Sequence, residues 1–187
     1  MNRLKTAGIL VACLLTLSGC ISTPAPTYQA SIDNTTTLAK LARPLSVGAF
    51  SAASGVENKS LDIRGSQLHG GTDGTYATYL RDAVIAEFKT ANDYTESGNT
   101  RLSGVLTRNE LATNIGTGKC TVGAEFSLSR DGQVLYKKTL LAEHEWKSSF
   151  IGAIAIPAAI NNYSTTVQQL LGKLFSDPEF NAAMQQP

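Results

Sequence analysis

The order of hydropathy patterns predicts an α+β domain: an antiparallel sheet of about four strands with two helices packed on one face, in the order β-α-β-β-β-α. Three observations lead there. Tyr76, Leu80, Val84 and Phe88 recur every four residues, which marks the buried stripe of an amphipathic helix. Ile160, Tyr163, Val167, Leu170, Leu171 and Leu174 repeat with the same period and mark a second helix. Between them, Cys120 to Ser129 and Gln133 to Trp146 flank Arg130-Asp131-Gly132, a loop with glycine where a hairpin needs a left-handed residue.

The body opens with Pro44-Leu45-Ser46-Val47-Gly48-Ala49-Phe50, whose alternation reads as a short strand. Ser51 to Gly71 is a polar connection with room for a brief strand at Leu61 to Arg64. Thr72 or Asp73 can cap the first helix, which runs to about Ala91. A second strand covers about Thr100 to Asn109, with Leu102, Gly104 and Leu106 on one face, and a looser glycine-bearing stretch, Ala112 to Lys119, follows. In the hairpin a three-residue loop pairs Leu128 with Val134, Phe126 with Tyr136 and Val122 with Leu140, and sets Glu125 opposite Lys137. Pro157 suits the first turn of the last long helix, which ends near Phe175 and Ser176. Asp177-Pro178 breaks it, and Glu179 to Met184 offers one or two further turns.

The N-terminus reads as an address. Arg3 and Lys5 precede Ala7 to Leu17, an apolar stretch long enough for an export signal and too short for a membrane span. Leu17-Ser18-Gly19-Cys20 then resembles the bacterial lipobox. That resemblance implies a diacylglycerol thioether on Cys20, cleavage before it and acylation of the new amine. Two or more acyl chains anchor a protein stably. Ile21 stands where an aspartate commonly retains enteric-type lipoproteins in the inner membrane, so the resemblance implies delivery to the outer membrane. The expected organisation is a signal peptide over 1–19, an acylated cysteine and flexible tether over 20–43, and one periplasmic domain over 44–187. The tether, rich in Ser, Thr, Pro and Ala, has a typical end-to-end distance of about 25 Å, with ordering conceivable near Leu38 to Leu41.

Composition fits this address. At 42% hydrophobic and 17% charged, the 187 residues are too apolar for a disordered chain. With 16 basic and 15 acidic groups there is no basic stripe for nucleic acid. Loss of Arg3 and Lys5 with the signal leaves 14 basic against 15 acidic groups, which exerts no strong pull on phosphates. Cys13 leaves with the signal and Cys20 becomes a thioether, so Cys120 has no intramolecular disulfide partner.

Candidate chemistry is sparse. His144 has Glu143 and Glu145 beside it, but strand alternation points them to the opposite face, so the three cannot chelate together. His69 lies in a glycine-flanked loop with no evident partner. Gly116-Thr117-Gly118-Lys119-Cys120 fails as a phosphate loop, with Thr113 where glycine is needed, Cys120 where Ser or Thr is needed, and a strand following. Cys120 shares the face of Val122, Phe126 and Leu128 and reads as an inert core thiol. No serine stands in a nucleophile elbow. Neither an enzyme, a metal site nor a cofactor is expected.

The most unusual segment is Phe150 to Ile160, apolar and loosened by Gly152. Its side chains either complete the core beneath the sheet or form an exposed patch, centred on Phe150, Ile151, Ile154 and Ile156, that docks a partner or dips into lipid.

The lipobox, the first strand leading into an amphipathic helix, the late hairpin and the final helix, above all Val167-Gln168-Gln169-Leu170-Leu171-Gly172-Lys173-Leu174-Phe175-Ser176-Asp177, together resemble the YajG-like family of small bacterial lipoproteins. A wider likeness runs to LptE-like and transporter-auxiliary lipoproteins. The family brings no established active site, so only Cys20 carries over. The function implied is that of a non-catalytic, lipid-anchored outer-membrane protein whose periplasmic domain serves an envelope protein partner. The alternative is a lipid or lipopolysaccharide transport subunit, which calls for an apolar groove between sheet and helices or a plug surface for a barrel.

Overall fold

The structure, a computed structural model, describes residues 22–186; Cys20 lies outside them. In chain order the elements are β1 (Ser22–Pro24), α1 (Ile32–Ala39), β2 (Ser46–Ala52), β3 (Ser60–Ile63), β4 (Ser66–His69), α2 (Tyr76–Thr90), β5 (Thr100–Thr113), β6 (Gly116–Arg130), β7 (Gln133–Ser148), α3 (Gly152–Phe175) and α4 (Pro178–Gln185). The fold is α+β, but with two mixed sheets and four helices in place of one antiparallel sheet and two helices.

The larger sheet has the order β2-β5-β6-β7. Its last three strands are antiparallel neighbours, whereas β2 runs parallel to β5. The connection dictates this. The chain leaves β2, crosses over through α2 and returns beside it, and such a crossover brings the second strand back in the same direction. The smaller sheet, β1-β4-β3, pairs β3 and β4 around an Arg64-Gly65 turn and adds β1 parallel to β4. Both turn residues have positive φ, 54° and 83°.

α2 packs on β2 and β5, and α3 across β6 and β7. The predicted stripe Tyr76, Leu80, Val84 and Phe88 is buried, as are Tyr163, Val167, Leu170, Leu171 and Leu174 of α3. Thr75 caps α2, its Oγ1 accepting from Thr78 N at 3.2 Å. Asp73, expected as a cap, instead accepts from the N–H and hydroxyl of Thr75 and the hydroxyl of Thr78. Such a cap contributes about 1 kcal/mol.

A bulge between Leu106 and Arg108 switches which face of β5 points inward. Before it Leu102, Gly104 and Leu106 are buried; after it Asn109 is. Asn109 gains two partners there: its Nδ2 donates to Glu57 O at 2.7 Å and its Oδ1 accepts from the Tyr163 hydroxyl at 2.9 Å.

The hairpin register differs from expectation. Arg130 pairs with Gln133 across a two-residue Asp131-Gly132 turn, with φ of 51° and 82°. An irregularity at Leu135 then sets Leu128 opposite Tyr136, Phe126 opposite Lys138 and Val122 opposite Ala142. From Leu128 onward the strand has moved two residues relative to the expected pairing, which keeps those side chains on their expected faces; Val134, on the turn side of the irregularity, instead pairs with Ser129 and is exposed. Glu125 faces Thr139, yet Lys137 Nζ still reaches its carboxylate diagonally at 3.1 Å. The stretch read as loose between Ala112 and Lys119 is strand on both sides of a tight turn at Asn114-Ile115.

α3 begins at Gly152, five residues before Pro157. The proline removes the bond its N–H would give to Ala153 O, and Ala153 is exposed, so solvent takes that carbonyl. At its other end α3 stops at Ser176, and Asp177 caps α4 through Glu179 N at 2.9 Å.

The segment read as a flexible tether belongs to the domain from Ser22 onward. Its polar composition conceals three anchors, Tyr28, Asn34 and Leu38, all buried. Asn34 Nδ2 donates to Glu87 Oε1 at 2.9 Å and Gln168 O at 3.0 Å, joining α1 to α2 and α3.

Candidate functional site

The groups that could perform chemistry are committed to structure. Cys120 is fully buried, and burial pushes its thiol up to about 12. His144 Nε2 lies 2.8 Å from Asn162 Oδ1, and its ring stacks on Trp146 with centroids 6.1 Å apart. Glu143 and Glu145 turn to the opposite face and hold Lys119 Nζ at 3.3 and 3.5 Å. His69 Nδ1 lies 3.0 Å from Lys59 O. Among the described residues no cluster of three His, Cys, Asp or Glu side chains could hold a metal ion.

A different feature stands out at one end of the molecule, where three connections meet around one guanidinium. Arg64, at the β3–β4 turn, donates from Nε to Thr113 O at 2.9 Å, from Nη2 to Asn114 O at 3.4 Å and Ser148 Oγ at 3.0 Å, and from Nη1 to Phe150 O at 3.3 Å. The fork shape of the group suits several acceptors at once. It ties the β5–β6 turn and the β7–α3 connection to the β3–β4 turn.

Around this tie stand Ile115 and Phe150, each 75% exposed, Ile154 at 57% and Ile151 at 45%. These are four of the seven large apolar side chains exposed among the described residues, so the end is an apolar cap rather than a chance scatter. Ile156, grouped with them on sequence, turns inward and packs with Ile63, Leu68 and Ala159. The segment is therefore divided between the two alternatives: Phe150, Ile151 and Ile154 are exposed, while Ala155 and Ala159 are buried and Ile156 is half-buried. Ser149 Oγ accepts from Ile151 N at 3.1 Å and fixes the entry to α3.

β1 starts at the same end. Ser22 pairs with Gln67, two residues beyond Gly65 in a parallel register, so tracing β1 backward leads toward the Arg64-Gly65 turn. Sequence reasoning missed Arg64 and Ile115. Their signal was weak: an arginine before a glycine at a strand end, and one large apolar residue between Asn114 and Gly116.

The layer between sheet and helices is filled. Phe126, Leu128, Tyr163, Leu170 and Phe175 are each no more than 2% exposed. At the opposite end a shallow depression of about 250 Å³ lies between Arg43, Pro44, Thr100, Arg130, Met184 and Gln186. No helix of the described residues is long and apolar enough to cross a membrane.

No family model matches the sequence, and no curated protein matches it. Among solved structures, a chain provisionally named a lipoprotein, from Caulobacter crescentus CB15, aligns with a TM-score of 0.48 at 14% identity, covering 82% of this chain and 98% of that one. Protein XCC0632 from Xanthomonas campestris, which carries the family label DUF330, aligns with a TM-score of 0.52 at 15% identity over 83% of this chain and 90% of that one, and it is the fold that the two share.

Proposed function

We propose that the chain is the precursor of a lipid-anchored envelope lipoprotein, acylated on Cys20 and held at the outer membrane, whose periplasmic domain is a non-catalytic accessory to an envelope protein partner. One observation carries the reading: Leu17-Ser18-Gly19-Cys20 directly follows a basic segment and an apolar run of export-signal length. The YajG-like resemblance belongs to the same reading. Further support comes from the domain, where the nucleophile and imidazole candidates Cys120 and His144 are held in packing and hydrogen bonds. The transport alternative calls for a groove between sheet and helices, and Phe126, Leu128 and Tyr163 occupy that space.

The test is expression in a Gram-negative host, mass spectrometry of the mature N-terminal peptide, and separation of inner from outer membranes. An acylated peptide beginning at Cys20, in the outer-membrane fraction, is the expected result. An unmodified Cys20 or a mature terminus elsewhere overturns the anchor, and recovery with the inner membrane overturns the localisation. Cys20→Ala leaves the unlipidated precursor at the inner membrane.

A further inference from the structure

We propose that the apolar end formed by Ile115, Phe150, Ile151 and Ile154 inserts into the lipid leaflet that carries the Cys20 acyl chains, so that the domain stands on the membrane in one orientation. The inference rests on the reading of Cys20 as the anchored residue and adds which surface meets the lipid.

Chain length is the first argument. A single residue, Ile21, separates Cys20 from Ser22, a span of at most about 7 Å. Ser22 is pinned against Gln67, beside the turn that holds Arg64. The acyl attachment point is thus confined to the end of the domain where the four apolar side chains stand. A protein layer between that end and the membrane needs about 10 Å for even a single helix. The short span leaves lipid as the occupant.

Charge is the second argument. No acidic or basic residue occurs between Glu110 and Lys119, or between Lys147 and Lys173. Those two segments therefore bring no ion of their own to desolvate; the ions beside them, Arg64 and exposed Asp62 of the β3–β4 connection, sit at the headgroup level in this orientation. Exposed Lys147, opposite Thr117 in the β6–β7 ladder, stands at the rim, where its ammonium can meet lipid phosphates.

Backbone polarity is the third. Irregular backbone enters an apolar region only where its polar groups are satisfied from within the protein. Arg64 satisfies the carbonyls of Thr113, Asn114 and Phe150, which belong to the very connections that carry the exposed side chains. Ile151 O is taken by the N–H groups of Ile154 and Ala155, and the carbonyl of exposed Ala153, which Pro157 leaves without its helical donor, stays at the hydrated headgroup level in this orientation. The anchor supplies the remaining requirement, because a tethered surface inserts in an intramolecular step and even a weak contact is populated.

The test uses the mature acylated lipoprotein reconstituted into vesicles of phosphatidylethanolamine and phosphatidylglycerol. An environment-sensitive fluorophore is placed on Ile154→Cys, on Ile115→Cys as an independent second site, and on Asp131→Cys in the far turn; buried Cys120 stays unlabelled in the native fold. Expected are blue-shifted emission at 154 and 115, and severalfold stronger quenching there than at 131 by phospholipids brominated on their acyl chains. Water-like, unquenched probes at both sites, with Cys20 acylation confirmed in the same sample, overturn the insertion and leave the lipoprotein reading standing. A blue-shifted but unquenched probe on a protein that sediments as a dimer overturns it in favour of a second copy. An unacylated Cys20 overturns both readings.

Discussion

The hydroxyl of Tyr28 donates to Glu87 Oε1 across 2.6 Å, and the same oxygen accepts from Ser31 N at 3.1 Å and Asn34 Nδ2 at 2.9 Å. Glu87 is fully buried, so this one carboxylate clasps the N-terminal segment to α2 from inside the core. Burial first, and then the bond to Glu87, raise the phenol far above its ordinary range, so it remains a donor at any physiological pH. Tyr28→Phe is expected to lower stability by about 1–3 kcal/mol in urea titrations. It should also speed protease cleavage within residues 22–41. Glu87→Leu, which leaves the Tyr28 hydroxyl and Ser31 N without an acceptor and Asn34 Nδ2 with Gln168 O alone, should cost more than Tyr28→Phe by the same measurement.

Asp177 supplies a pH dependence. Burial raises its carboxyl, but Lys138 Nζ at 3.0 Å and the backbone N–H of Glu179 outweigh that and hold it below the usual carboxylate range. A depressed native value stabilises the fold above the unfolded value, about 3.9 for Asp, and the stabilisation is lost as pH falls through the native one. Asp177→Asn keeps an N-cap and removes the charge. The variant should be about 1 kcal/mol less stable than the parent at pH 7, with the gap closing toward pH 3, in chemical denaturation at the two pH values.

Cys120 should behave as a reporter of unfolding rather than as a reactive thiol. With its thiol pushed up to about 12 by burial, the thiolate at pH 8 is suppressed by about three orders of magnitude relative to a free cysteine. Thiol titration of a Cys13→Ser, Cys20→Ser variant should find no fast group in buffer and one, Cys120, in concentrated urea.

Trp146 lies over Gly118, where a Cβ would come within 2.2 Å of the indole ring. Gly118→Ala must displace the ring, and overpacking of this kind costs about 1–3 kcal/mol. Because Trp146 is the only tryptophan, a change in its emission wavelength together with a lower denaturation midpoint checks the prediction.

Ile154 and Ile156 are two residues apart and should respond oppositely to a charge. Ile154→Asp, on an exposed side chain, should leave urea stability within about 0.5 kcal/mol of the parent. Ile156→Asp sets a carboxylate into the half-buried contact with Ile63 and Leu68 and should cost about 1–3 kcal/mol. Equal losses in circular-dichroism melts of the two variants would contradict the division of this segment into surface and core.

Where side-chain periodicity reports burial, the sequence is readable. The stripes of α2 and α3, the inward set Leu102, Gly104 and Leu106, and the left-handed glycine at position 132 all follow from spacing and turn chemistry. Register is less legible, because a two-residue displacement such as that of the pairs from Leu128 to Gly116 leaves both faces unchanged and alternation cannot detect it. The N-terminal anchors were hidden for another reason. Tyr28, Asn34 and Leu38 are isolated among Ser, Thr and Pro, and their burial depends on Glu87, more than fifty residues away in sequence for Tyr28 and Asn34. Of the candidate site, Phe150, Ile151 and Ile154 were visible as an apolar run, while Arg64 was not, because its four acceptors are three backbone carbonyls and one hydroxyl drawn from two other connections.

The length of β6 has a mechanical consequence. Its 15 residues, paired on both sides, span at most about 50 Å from the Gly116 end to the Asp131-Gly132 turn. Hydrogen-bonded strands flex far less than a loose leader, so this distance acts as a spacer of set size. In the proposed orientation, with the Gly116 end on the lipid, the Asp131-Gly132 turn is carried to one depth below the membrane, at a distance measured by the sheet.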